Sequence, residues 1–344
     1  FLSGRLAKAA EQAWKDRKPG GISYGFDHAV IGQGRLNVDL SGRTTLYAET
    51  NNDKFSHLEG YEDNSVNLLY TWDDKQELTG IVINVAVPSQ NSESMFLISA
   101  DFWHDARIEI RKRLGNNIFV LPQCGAGGER SPHLMVDKKA EERMQKIMFP
   151  DEKSGRSSVG RRKQIAKRIA DAVTNVLPYM KDNIEWSPVV KHKMEILKIT
   201  RRPQKIEDVK EGLEQSARYK EQYEKLLDEI EKNPEIKNKP RWYIDVSRNF
   251  RLLMRGQIAA ERYELQKIQP TMPAEVHVIR ISDIAIATNQ FELFSEYAMR
   301  IKARSPAIQT FVVQLSGQGG YLPTAQSLAG KGYGAVGNLV GPEG

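Results

Sequence analysis

The chain of 344 residues has one cysteine, Cys124. That excludes an internal disulfide and any zinc site built on cysteine pairs, while leaving the redox compartment open. No apolar run approaches the roughly 18 residues of a membrane-spanning helix. The excess of charge is small: 50 Lys and Arg against 44 Asp and Glu leave +6, which does not by itself imply nucleic acid. There is no P-loop, no Gly-x-Ser-x-Gly elbow and no His-Glu-x-x-His pair among the six histidines. No internal repeat is visible. The chain starts Phe1-Leu2-Ser3-Gly4, without an initiator Met or a signal peptide, and ends Gly341-Pro342-Glu343-Gly344 without a charged tail. Both ends read as cuts in a longer chain, so one large domain truncated at each end is expected over 1–344.

What is present alternates between β and α patterns. Ser65 to Trp72, a turn at Asp73-Asp74-Lys75-Gln76 and the β-branched run Gly80 to Val87 read as a hairpin. A run of that kind is usually buried on both faces. Asp101 can cap a helix over Phe102 to Leu114, with Gly115 at its end. A short strand from Ile118 then runs into Gln123-Cys124-Gly125-Ala126-Gly127-Gly128-Glu129-Arg130-Ser131-Pro132-His133. Charged helical periodicity fills Lys138 to Met148, Val159 to Lys181, Ile206 to Lys232 and Arg241 to Lys267, and β pattern returns from Glu275. The order predicts an α/β fold of mixed β-sheets flanked by helices, with residues 205–268 as a helical insertion or cover.

Three features can carry chemistry. The glycine loop follows a buried strand, where α/β folds place ligands. Its N–H groups at Gly127 and Gly128 can approach a substrate, with Ser131 as nucleophile or hydrogen bonder and His133 as base or ligand. The alternative is a tight turn with a capping serine. Glu292 stands where a strand turns into a helix, as a capping carboxylate, a base or a metal ligand. Among the histidines, His104 at a helix start and His57 in a polar loop are candidate ligands, although a structural role is the commoner fate of any one histidine. The basic cluster Arg156, Arg161, Arg162, Lys163, Lys167 and Arg168 lacks interleaved aromatics. It reads as a solvated helix face rather than a phosphate or nucleic-acid site.

In their joint order these stretches resemble the neutral ceramidases and their bacterial relatives. Gly128-Glu129-Arg130-Ser131-Pro132 resembles that family's Gly-Asp-x-Ser-Pro loop. Thr288 to Phe294 resembles its glutamate-bearing turn, Gly320-Tyr321-Leu322-Pro323-Thr324 its aromatic loop, and Arg35 the arginine near its substrate. The resemblance implies a zinc-dependent amidase acting on an N-acyl amide of a lipid or lipid-like molecule. Two histidines, a glutamate and a tyrosine would hold one zinc ion, and its bound water would attack. Glu292 and Tyr321 carry over as ligands, Tyr321 also as a substrate contact, and Arg35 and the Ser131 loop as partners of the oxyanion. The resemblance puts the first of the two histidines upstream of Phe1 and the second after the buried strand, where Ala86-Val87-Pro88-Ser89-Gln90 has no histidine; His104 or His57 would have to substitute.

The resemblance further implies export to the periplasm or the outside, and peripheral contact with a membrane. No nucleic-acid partner is expected, and no feature sets an oligomeric state. The competing expectation is a non-catalytic ligand-binding protein on the same fold with a degraded metal site.

Overall fold

The computed structural model describes residues 2–95 and 97–341. Phe1 and 342–344, on which the reading of the chain ends partly rests, lie outside the described residues. The chain divides into two compact units, 1–196 with 275–338, and 197–274 with 339–344. No helix among the described residues is long and apolar enough to cross a membrane.

In the first unit the sheet order is Gly20–His28, Ser65–Asp73, Leu78–Val85, Phe119–Cys124. The first three strands are antiparallel and the last is parallel to Leu78–Val85. A parallel neighbour needs a crossover, and the helix Phe102–Leu114 supplies it. Asp101 caps that helix through Phe102 N, as its sequence position predicts.

The run Leu78–Val85 is buried on both faces, for a visible reason. Ile81, Ile83 and Val85 pack with Phe102, Ala106, Ile110, Ile165, Ile169 and Val173 of the helices Phe102–Leu114 and Val159–Lys181. Val82 and Leu69 point the other way, onto Ile284 and Phe311 of a second sheet. Each such side chain contributes about 1.5–3 kcal/mol of burial. A side-chain amide stitches the two sheets together: Asn84 Nδ2 donates to Val312 O at 2.9 Å.

The second sheet has the order Val190–Thr200, Thr271–Ile281, Ile284–Thr288, Gln309–Val313. Its last two strands are parallel, joined by the crossover helix Ser295–Arg304. The sequence pattern predicts a helix over Leu293 to Lys302; the observed helix starts two residues later. Glu292-Leu293 instead forms a two-residue strand parallel to Tyr321-Leu322.

The second unit holds the antiparallel pair Ile206–Lys232 and Ile244–Ile268. Their backbones approach so closely that a Cβ on Gly256 would lie 2.1 Å from Gly212 O. Ser216 Oγ donates to Leu253 O at 2.6 Å and accepts from Gly256 N at 3.1 Å at the same crossing.

The basic cluster is only in part a solvated face: Lys163 and Lys167 keep 39% and 45% of their side chains exposed. Arg161 is fully buried and donates to Pro132 O, Ile31 O and Gln164 Oε1 at 2.8–3.0 Å. Arg162 pairs with Asp105, Lys163 with Glu152, Lys167 with Asp171 and Arg168 with Glu141. Side chains of the protein itself take up these charges. Arg161 works as a clamp on the Ser131-Pro132 loop.

Candidate functional site

Two very short ladders bring distant loops to one place. Gln33-Gly34 pairs with Arg130-Ser131, antiparallel, and Glu292-Leu293 pairs with Tyr321-Leu322. The glycine loop connects them, with Gly128 N donating to Leu293 O and Arg35 N donating to Glu129 O, both at 2.9 Å.

Arg35 sits at the centre and is almost wholly buried. Its Nη2 donates to Gly128 O at 2.9 Å and to the Tyr321 hydroxyl at 3.0 Å. Its Nη1 donates to the Tyr47 hydroxyl at 3.3 Å. Tyr47 in turn donates to Ser131 Oγ at 3.0 Å and accepts from Gln90 Nε2 at 3.1 Å. Tyr321 hydrogen-bonds Glu292; burial first, and then that bond, push its phenol up. Tyr321 is therefore a neutral proton donor at physiological pH. A chain of contacts thus runs Glu292, Tyr321, Arg35, Tyr47, Ser131. Segments more than 280 residues apart in sequence meet in it.

Several sequence-based expectations need revision. Gly127 N donates to the Gln314 side chain at 3.3 Å, and Gly128 N is taken by Leu293 O. A Cβ on Gly128 would lie 2.7 Å from Glu292 O. These glycines permit close packing, and their N–H groups serve the protein, not a substrate cradle. Ser131 and His133 do not form a nucleophile–base pair. Only the backbone N of His133 meets Ser131 Oγ, at 3.2 Å. The His133 ring faces Glu93 through Nε2 at 3.0 Å and Ser157 Oγ through Nδ1 at 3.2 Å. Ser131 is fully buried, and its hydroxyl orients Tyr47.

The carboxylate at the helix N-terminus is Glu129, not Glu292. Both Glu129 oxygens accept from Ser295 N, at 2.8 and 3.0 Å. Burial pushes the Glu129 carboxyl up to about 7. Cys124 is also pushed up, to about 11, by burial and with a contribution from the charge on Glu292. It is an inert thiol at neutral pH.

His104 and His57 do not join Glu292. His104 is an exposed residue of the first turn of Phe102–Leu114. His57 is exposed on the strand Phe55–Leu58, its ring against Ser56 Oγ at 3.0 Å. Among the described residues, no three His, Cys, Asp or Glu side chains come together as a metal-holding group.

Sequence reasoning missed Tyr47, Gln90 and Tyr333. Tyr333 packs edge-on against Tyr321, with ring centroids 5.6 Å apart. Tyr47 holds a left-handed backbone, φ 56°, a strain of about 1–3 kcal/mol for a bulky residue. Arg156 covers its ring at 4.5 Å. Nothing local in the sequence marks it.

The comparison with known proteins agrees with the fold. The crystal structure of neutral ceramidase from Pseudomonas aeruginosa superposes with a TM-score of 0.60 at 14% identity, covering 97% of this chain and 51% of that one. The fold is that of neutral ceramidase. A ceramidase complexed with C2 gives a TM-score of 0.57 at 12% identity, covering 96% and 52%. The chain therefore spans about half the length of these ceramidases. No family model and no curated protein matches the sequence.

Proposed function

We propose that this chain carries an amidohydrolase of the neutral-ceramidase type, acting on an N-acyl amide of a lipid or lipid-like molecule. The observation behind this reading is the contact chain Glu292–Tyr321–Arg35–Tyr47–Ser131, on the ceramidase fold. The Arg35 guanidinium is the donor an amide carbonyl needs as its oxygen becomes negative: its Nε has no hydrogen-bond partner among the described residues, while Nη2 is taken by Gly128 O and Tyr321. Glu292 is the carboxylate that takes a proton from the attacking water. The carbon–oxygen bond forms, the carbon–nitrogen bond breaks, and the proton passes to the leaving nitrogen.

The zinc ion implied by the resemblance does not fit the donors present. Glu292 and Tyr321 supply two oxygens, and no histidine stands with them among the described residues. The Arg35 cation lies 3.0 Å from the phenol oxygen a metal would need. No step above depends on a metal. The same observation favours a second reading, a non-catalytic ligand-binding protein on this fold.

Fluorogenic N-acyl amides test the proposal. Turnover is expected, about 100-fold lower in Glu292→Gln and unchanged by a chelator or added zinc. Saturable binding without turnover would replace the hydrolase with the binding protein. Turnover that appears only with zinc would overturn the argument from the donor set.

A further inference from the structure

On the outer face of the second sheet, away from the Arg35 network, lies a trough of about 520 Å³. The strand Ile284–Thr288 turns Ile284 and Ile286 into the core, so Ala285 and Ala287 face the trough. Small side chains make its floor. Val278, Ile301 and Ile308 make its walls, and all three are exposed, Ile308 at 74%. Arg280, Arg304 and the carboxylate-bearing Asp283 also line it. Arg280 Nε donates to Ser282 O at 2.6 Å, and its Nη2 is a distant 4.0 Å from Asp283. Arg304 makes no ion pair or side-chain hydrogen bond among the described residues.

The volume lies within the range of small-molecule sites, about 300–1,000 Å³, which are apolar with a few placed polar groups. Exposed aliphatic walls beside an unpaired guanidinium call for a ligand with a chain and a negative head. The helix Ser295–Arg304 has ten residues, about 15 Å of length. Glu129 meets its first residue, and Arg304 is its last, so the trough is separate from the network around Arg35.

We infer that this trough binds one single-chain amphiphile with an anionic head group, its alkyl chain over Ala285 and Ala287 and its head at Arg304 and Arg280. The site is independent of the hydrolase reading.

Isothermal titration calorimetry of the 344-residue protein with decanoate tests it. Saturable binding at one molecule per chain is expected, with 1-decanol at least about tenfold weaker. The pair Arg280→Gln, Arg304→Gln is expected to weaken decanoate about tenfold. Ala307→Trp, which fills the trough from its loop side, is expected to abolish binding without loss of thermal stability. Glu292→Gln is expected to leave binding unchanged. Equal binding of decanol and decanoate, or decanoate binding insensitive to the arginine pair and to Ala307→Trp, would overturn the inference. So would protein that binds anionic phosphatidylglycerol vesicles and ignores decanoate, since the surface would then serve a membrane.

Discussion

Replacing Glu129 by Gln probes the loop beneath the site through its acid–base behaviour. The carboxyl is buried beside Ser295 N, and burial raises it from the ordinary 4.5 to about 7. A carboxyl raised on folding holds its proton in the native state over a range where the unfolded chain has released it. Its contribution is fully present below pH 4.5 and is lost as pH rises towards 7. At about 1.4 kcal/mol per pH unit, that interval removes about 3 kcal/mol of stability. Glutamine keeps an oxygen for Ser295 N and carries no charge at any pH.

The measurement is urea denaturation followed by tryptophan fluorescence at pH 4.5, 6, 7 and 8.5. The wild type should lose stability across that range through this group. Glu129→Gln should show a flatter profile and be the more stable of the two at pH 8.5, by up to about 3 kcal/mol. The opposite case is an ionised carboxylate stabilised by the helix N-terminus, worth about 0.3–1 kcal/mol. Glutamine would then be the less stable at pH 8.5, and the wild type would gain stability with pH. That outcome would refute the reasoning.

Further outcomes follow from single contacts. Arg161→Met strips the partners from Pro132 O and Ile31 O; at about 1–3 kcal/mol per buried unsatisfied group, it should cost about 2–6 kcal/mol in chemical denaturation, with little dependence on salt. Gly256→Ala places a methyl 2.1 Å from Gly212 O and should cost about 1–3 kcal/mol, seen as an earlier loss of helical circular dichroism on heating. Tyr47→Phe removes the hydroxyl between Arg35 and Ser131. It should lower amide turnover about tenfold with the fold unchanged, while Ser131→Ala, one contact further out, should have a smaller effect.

Much of the architecture is legible because it is local. The β-branched run ending at Val85 reads as a strand buried on both faces, and it packs between helices and a second sheet. Asp101 reads as a cap and is one. Charged helical periodicity marks the helices from Ile206 to Ile268, and the close approach of Gly212 to Gly256 explains the two glycines that interrupt it. The site is legible only in part. Ser131 and Glu292 stand out as loop residues, Arg35 and Tyr321 enter only through the resemblance, and a chain of hydrogen bonds running through Tyr47 links the four. Their partners do not stand out, because each contact spans a long stretch of chain: Tyr47 to Ser131, Arg161 to Ile31, Glu129 to Ser295.

The glycine loop shows why residue type alone misleads. Three glycines after a buried strand match a ligand cradle in composition, but a glycine records only that something comes near its Cα. Here the near neighbours are Ala86 O and Glu292 O, and the N–H groups are already bonded within the chain. The loop acts one step earlier, since its packing sets Gly128 O where Arg35 can donate to it. Arg35 is thereby held against Tyr321 and Tyr47 at once. A substitution at Gly128 should therefore show itself first in the pairing of Glu292-Leu293 with Tyr321-Leu322, and only through that pairing in any chemistry at Arg35.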